Sequence, residues 1–282
     1  MELSEAAKAT EVSRPKNLGD VIYSYRHRRK LPDEILKTQP EGLHWLILGA
    51  GDAKYRFRLS ALCYVEPRAG LMVRKIPDAT PKIISKYALT DEQALLAKVR
   101  YNRLIDTFLG ITAYSLQSHL RTKIPNYGQI EIDELYVGVD RNGLHYVVPV
   151  QAKGKRDKLG VIQTIQDITF CKGSDKYRGA IVRAVSAQFI TKRGKRVGTG
   201  SDEDRIVLFE LNFNGDDVSI VDERHYLLVS GEDVTEADLI AYGRGEFTTG
   251  ESNRIGTYRF ALSAVGEGGA FVISPDVRVF EG

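Results

Sequence analysis

Cysteine is scarce in this chain: Cys63 and Cys171 are the only two, far apart and in no CxxC pairing. That is too few for a disulfide framework and argues against a cysteine-rich structural zinc site, so both are expected as small buried apolar residues. Long apolar runs are missing too, since no window approaches the roughly eighteen residues that a membrane-crossing helix needs. Residues Met1 to Lys16 carry Glu2, Glu5, Glu11 and Lys8 where a signal peptide would have an apolar stretch. The expectation is a soluble, unexported, cytoplasmic protein with no membrane partner. The histidines His27, His44, His119, His145 and His225 show no HxxxH or HExxH spacing, which counts against zinc-hydrolase chemistry. A GxSxG elbow is also lacking.

With 282 residues, 43% of them hydrophobic and 27% charged, the chain can bury a sizeable core in one large or two small domains. Disordered and fibrous classes are excluded. The net charge of +3 says little about partners, because the basic residues are clustered. Arg26, Arg28, Arg29 and Lys30 form one run; Lys153, Lys155, Arg156 and Lys158 a second; Lys192, Arg193, Lys195 and Arg196 a third. Each run can contact several phosphates. The competing reading of each is a solvated loop or helix face.

Residues 1–16 lack apolar periodicity and are expected as a flexible tail. Over 17–90 the pattern is first helical, with Leu18, Ile22 and Tyr25 in register. LHWLILGAGDAKYRFRL then alternates about Gly49-Ala50-Gly51-Asp52 as a β-hairpin. That GxG is half of a dinucleotide-binding fingerprint, but Lys54 stands at the third glycine position and a strand follows where a helix is needed. From 91 to 230 a long helix opens at Thr90-Asp91-Glu92, presents Leu95, Leu96, Val99, Leu104, Ile105 and Phe108, and breaks near Gly110. A helical pattern resumes over Ala113 to Arg121. QIEIDELYVGVD and LHYVVPVQAK form a second hairpin, Lys158 to Phe170 a helix, and IVRAVSAQFI, RIVLFELNF and VSIVDERHYLLV further strands. This order predicts an α/β fold with a mixed sheet and helices on its faces. Residues 231–282, rich in glycine turns, are expected as an extension packed on that core.

Side chains alternate across a strand, so Glu131 and Asp133 share one face of QIEIDELYV while Ile130 and Ile132 take the other. On the partner strand Gln151 and Lys153 share the face of Pro149. A tight hairpin can converge Asp133, Gln151 and Lys153, where oxygen ligands would hold a hard cation such as Mg²⁺ and the ammonium would orient a water. The competing reading is an exposed strand face with a cross-strand salt bridge.

Ile132-Asp133 followed by Val150-Gln151-Ala152-Lys153 is similar to the PD-(D/E)xK nuclease superfamily, in the QxK form of Mrr-type restriction enzymes. The preceding helix and the helix and strands that follow are also similar to the restriction-endonuclease-like core, so the resemblance covers about residues 92–230. It implies a mixed central sheet flanked by helices, with N-terminal helical and β-hairpin additions and C-terminal ones. Carried over, Asp133 is the metal-binding acid, Gln151 replaces the acid of the tripeptide, and Lys153 is its lysine. Asp133, Gln151 and Ala152 are then the metal ligands, and Glu131 or Glu134 can supply the charge an amide lacks. Ile132 stands where the family has proline. An acid on the preceding helix completes the site in many relatives, and Asp106 and Glu92 are the candidates; Asp106, in line with Lys98 and Asn102, equally fits a solvated helix face. The resemblance implies a Mg²⁺-dependent restriction endonuclease, a homodimer acting on double-stranded DNA, with the three basic clusters as DNA contacts. A repair or junction-resolving nuclease on the same core, and a DNA-binding module whose site has decayed, stay open as alternatives.

Overall fold

The computed structural model describes residues 2–13, 16–27, 29–51, 53–87, 91–124, 128–154, 157–192, 203–215 and 217–244. The N-terminal part holds α1 (Glu2–Ala9), α2 (Leu18–His27), α3 (Asp33–Leu36), β1 (His44–Gly51), β2 (Lys54–Ser60), β3 (Tyr64–Val65), β4 (Val73–Pro77) and α4 (Lys82–Tyr87). Then follow α5 (Asp91–Tyr101), α6 (Leu104–Leu109), β5 (Thr112–Ile124), β6 (Gly128–Val139), β7 (His145–Lys153), β8 (Leu159–Gly160) and α7 (Val161–Gly173). The rest is β9 (Ile181–Val182), β10 (Ala184–Lys192), β11 (Glu203–Phe213), β12 (Val218–Val229) and α8 (Glu236–Arg244). Among the described residues no helix is long and apolar enough to cross a membrane.

The central sheet has the order β4-β12-β11-β10-β7-β6-β5, with β9 beside β7, and is mixed. β5, β6 and β7 are antiparallel neighbours, β10 runs parallel to β7, and β11 and β12 return antiparallel. A parallel step needs a crossover, and α7 supplies it. The pleat then sorts the core. Ile206 and Leu208 of β11 join Val148, Val150 and Ala187 beneath α5 and α6. Val207, Phe209 and Leu211 face the opposite side, against Ile162, Ile165 and Ile168 of α7 and Leu46 and Leu48 of β1. Each fully buried side chain of this kind, Leu95 or Leu208 for example, stabilises the fold by about 1.5–3 kcal/mol. The two faces are both covered, which is why the inner strands carry apolar residues at successive positions.

The Asp91–Leu109 helix is in two pieces, because Arg103 takes a left-handed conformation between α5 and α6. Gly110, at φ 67, ends α6 in a conformation that glycine adopts without penalty. At Gly138 the constraint is space: a Cβ there would lie 2.9 Å from the Thr112 carbonyl oxygen, so β5 and β6 could not approach as they do.

Two expectations change. Residues 112–124 are strand β5, not the resumed helix expected over Ala113 to Arg121. Ala113, Leu116 and Leu120 do fall at helical spacing, but β5 is a sheet edge exposed from Tyr114 to His119, so no alternation marks it, and pairing with β6 decides its conformation. Glu2–Ala9 forms a helix where a flexible tail is expected; it is mostly exposed, and alanines with Lys8 in the last turn favour a helix without an apolar face. The sequence also gave no sign of β4, which lies between 17 and 90 yet pairs in parallel with β12, so that segment shares the central sheet.

On β6, fully buried Glu134 holds Arg100 at the end of α5, with Nη2 2.7 Å and Nε 2.9 Å from Oε1. Arg100→Met strips a buried carboxylate of its cation and should destabilise the protein by about 3 kcal/mol. Adding Glu134→Met should recover most of that loss. Urea midpoints for wild type, single and double variants check this; equal midpoints for the two variants would show that the pair is not coupled.

Candidate active site

The β6–β7 ladder pairs residues from Val139 and His145 as far as Glu134 and Val150. One residue further the strands part, and the Asp133 carboxylate takes the place of a ladder carbonyl: the Ala152 amide donates to its Oδ2 at 2.8 Å. Gln151 and Lys153 flank that amide on β7. Gln151 is buried, and Lys153 reaches across to the first turn of α5, where its Nζ lies 3.3 Å from Glu92 Oε1. Four side chains from three elements therefore meet at the fork, at the carboxyl end of β7 just before the crossover, where open α/β sheets commonly bind ligands. They line a cleft of about 1820 Å³ whose lining also includes Arg29 and Lys30.

The fork is electrostatically strained. Burial pushes the Asp133 carboxyl above its ordinary value, against the opposing pull of Lys153 and of the Ala152 N–H, and Glu92 adds to the upward push. Behind it on α7, Asp167 is buried and held well above the usual carboxylate range, first by that burial and then by the charge of Asp133, with Lys153 opposing. Three buried oxygens, Gln151 Oε1, Asp167 Oδ1 and Gln188 Oε1, have no hydrogen-bond partner among the described residues. Gln188 sits beside Lys153 in the β10–β7 register, and buried Ser186 beside Gln151. Such orphaned acceptors are rare in folded proteins and call for a partner from outside the chain or a functional reason. Among the described residues no group of three or more His, Cys, Asp and Glu side chains is placed to hold a metal ion. The donors at the fork are instead two carboxylates, an amide and backbone carbonyls.

Other expected site residues lie elsewhere. Glu131 lines the cleft, but its carboxylate is engaged by Arg121 at 3.1 Å and His119 at 3.3 Å, and Arg121 foremost holds it below the usual range. Glu134 belongs to Arg100 on the α5 face. Asp106 pairs with Arg103 and accepts the Ala113 amide at 2.9 Å, joining α6 to β5, so the acid that α5 and α6 bring to the fork is Glu92. Arg26 is tied to the Ile47 carbonyl at 3.0 Å and lies over the Tyr55 ring, while Lys30 pairs with Asp33. Lys158 lines the cleft with its ammonium over the Tyr64 ring. Lys192 ends β10. Arg28, Lys155, Arg156, Arg193, Lys195 and Arg196 lie outside the described residues, as does the C-terminal extension beyond residue 244.

Compared with family models, curated proteins and solved structures, the chain matches none. Two features of the site escaped the reading of the sequence. Gln163, Gln166 and Asp167 fall at i, i+3 and i+4 on a helix read only for its apolar side, and that polar stripe was the available signal. His119, on β5 opposite Asp133, has φ 49, a left-handed conformation that costs a non-glycine residue about 1 kcal/mol.

A carboxyl raised above its unfolded value favours the protonated form, so Asp167 and Asp133 cost stability as pH rises from the ordinary carboxylate range through their raised values. Asp167→Asn removes one such cost. The variant should melt a few degrees above wild type at pH 7, by about 2–4 °C for each kcal/mol gained. The difference should close below about pH 4, the ordinary range for aspartate. Melting curves across pH check it, and a variant that melts lower at pH 7 would mean that ionised Asp167 stabilises the fold.

Proposed function

We propose that the protein is a Mg²⁺-dependent endonuclease of restriction-enzyme type that hydrolyses phosphodiester bonds in double-stranded DNA. The observation that carries this is the convergence of Asp133, Gln151, Lys153 and Glu92 at one fork, inside a cleft that Arg29 and Lys30 also line. The order β5-β6-β7-β10, with α5 before it and α7 as the crossover, also agrees with the core that the PD-(D/E)xK resemblance implies.

The fork suits a hard cation. The Asp133 carboxylate, the orphaned Gln151 amide oxygen and the Ala152 carbonyl are the oxygens that would hold Mg²⁺. When bound, the ion would polarise the phosphate and favour ionisation of a water. Lys153 orients that water and stabilises the charge that develops on phosphate, and Glu92 holds the ammonium in place. Arg29, Lys30 and Lys158 bind flanking phosphates. A homodimer would place two forks for the two strands of a palindromic site. A second reading, a DNA-binding module without turnover, is favoured by one observation, the uncharged Gln151 at the position of a ligand acid.

Plasmid incubated with Mg²⁺ against EDTA separates the two readings. Lys153→Ala should abolish cleavage and leave DNA affinity nearly intact, because it removes an interaction made mainly in the transition state. If that variant still cuts, the fork is not the catalytic site. Gln151→Glu should tighten Mg²⁺ binding, so that less Mg²⁺ is required, and keep detectable cleavage, whereas Gln151→Leu should raise the requirement or end turnover. A Leu variant matching wild type at every Mg²⁺ concentration would remove Gln151 from the ligand set. Replacing Arg29 and Lys30 together by Ala should make the negative slope of log K against log salt shallower by about 1–2. An unchanged slope in binding titrations would make them bystanders.

A further inference from the structure

His119 is unlike the other left-handed residues of the chain. Among the described residues the non-glycine positions with positive φ are Glu11, Ala53, Arg103 and His119. Glu11 follows α1, Ala53 lies between β1 and β2, and Arg103 separates two helices, all places where the chain must turn. His119 is in the body of β5, flanked by the pairs Ser118–Glu134 and Leu120–Ile132, so it stands opposite Asp133. The break in regular geometry there reaches β6 as well: Ile132 packs in the cluster with Cys171 of α7, while Glu134, two residues on, faces Arg100 across the sheet.

The imidazole is held rather than loose. Nδ1 lies 3.3 Å from Glu131 Oε1, and Glu131 is itself anchored by Arg121 Nε and Nη2 at 3.1 and 3.3 Å. That leaves Nε2 without a protein partner among the described residues, on a side chain that is 54% exposed and lines the cleft of the fork. A strained backbone that aims an oriented ring into a cleft is the pattern in which strain serves a function. An ordinary cross-strand pair needs no such conformation.

We propose that His119 is a further catalytic residue, whose Nε2 hydrogen-bonds the phosphate under attack while Glu131 fixes the ring through Nδ1. It rests on the nuclease reading of the same fork. The protonated ring donates from both nitrogens, so it can bridge Glu131 and a phosphate oxygen at once. Lys153 and His119 then approach the phosphate from β7 and β5, on either side of Asp133.

The test uses the backbone strain to separate chemistry from folding. His119→Gly is free of the left-handed penalty and should melt at or above the wild-type temperature. Its kcat for cleavage should fall about 10²-fold, the loss typical of one removed donor to a transition state, with KM nearly unchanged. Added imidazole should restore part of the loss. His119→Asn, which tolerates φ above zero and keeps a donor, should lie between the two. In parallel, the His119 ring signals of the full chain, assigned by their absence from the Gly variant, should shift when a duplex oligonucleotide is added in EDTA. A Gly variant that cuts at the wild-type rate overturns the proposal and leaves the nuclease reading standing. So does a loss with a lowered melting temperature and no imidazole rescue. If wild type cuts no DNA and the ring signals still shift, the nuclease reading falls and the contact with nucleic acid stands; if neither occurs, both fall.

Discussion

The hydrogen bond from the Ala152 amide to the Asp133 carboxylate holds β6 to β7 where their ladder ends. A charge-assisted bond of this kind is worth about 1.5–3 kcal/mol, enough to fix one strand end against another while the backbones diverge. Because Ala152 is pinned, its neighbours Gln151 and Lys153 are pinned with it, and their side chains emerge on the face that α7 covers. From α5 the carboxylate of Glu92 comes within reach of Lys153. The rest of the fork follows from this bond: without it the carboxyl end of β7 would have no reason to present an amide and an ammonium to the same acid.

Stability alone would not choose these residues. Asp133 and Asp167 are desolvated, the charge of Asp133 adds to the upward push on Asp167, three buried oxygens near the fork lack partners, and His119 sits in an unfavourable backbone region. An unpaired buried polar group costs about 1–3 kcal/mol. The surrounding sheet tolerates this because both of its faces are packed with aliphatic side chains elsewhere, from Leu95 and Val99 on one side to Ile165 and Phe209 on the other. The orphaned oxygens are not confined to the fork, since Glu134 Oε2 and the Tyr136 hydroxyl are also buried without a partner among the described residues, whereas the Arg183–Glu210 pair is bidentate and lies away from it.

The part of the site built by local alternation was legible in the sequence. The hairpin turn and the period of two on β7 are enough to bring Asp133 near Gln151 and Lys153, although the alternation on β6 slips between Ile132 and Glu134. What was not legible depends on the sheet as a whole. Ala113 to Arg121 looked helical because an exposed edge strand has no buried face to impose a pattern. The choice between Glu92 and Asp106 turned on where a helix breaks, and that break, at Arg103, has no glycine or proline to announce it. Arg29 and Lys30 were recognised as a basic cluster, but that they line the same cleft as the fork depends on long-range packing such as that of Leu46 and Leu48 against α7. The conformation of His119 leaves no trace in residue types at all, since histidine is common in ordinary strands.

The stretch from β3 to β4 is fastened at three points. Tyr64 and Val65 pair with Gly160 and Leu159, the Arg68 amide and guanidinium both bind buried Glu223, and Val73–Pro77 run beside β12. It behaves as a tether of fixed length between the mouth of the cleft and the far edge of the sheet. Everything before it, including the basic wall, hangs from Tyr64. A rotation of α2 with the β1–β2 hairpin about that point would widen the cleft without breaking one hydrogen bond of the central sheet. What resists it includes the seating of Leu46 and Leu48, each worth about 1.5–3 kcal/mol, and Arg58 of β2 lying over the Phe213 ring of β11. The gape of the cleft is thus set where the hairpin seats on α7 and β11, and not by the hydrogen bonds of the central sheet.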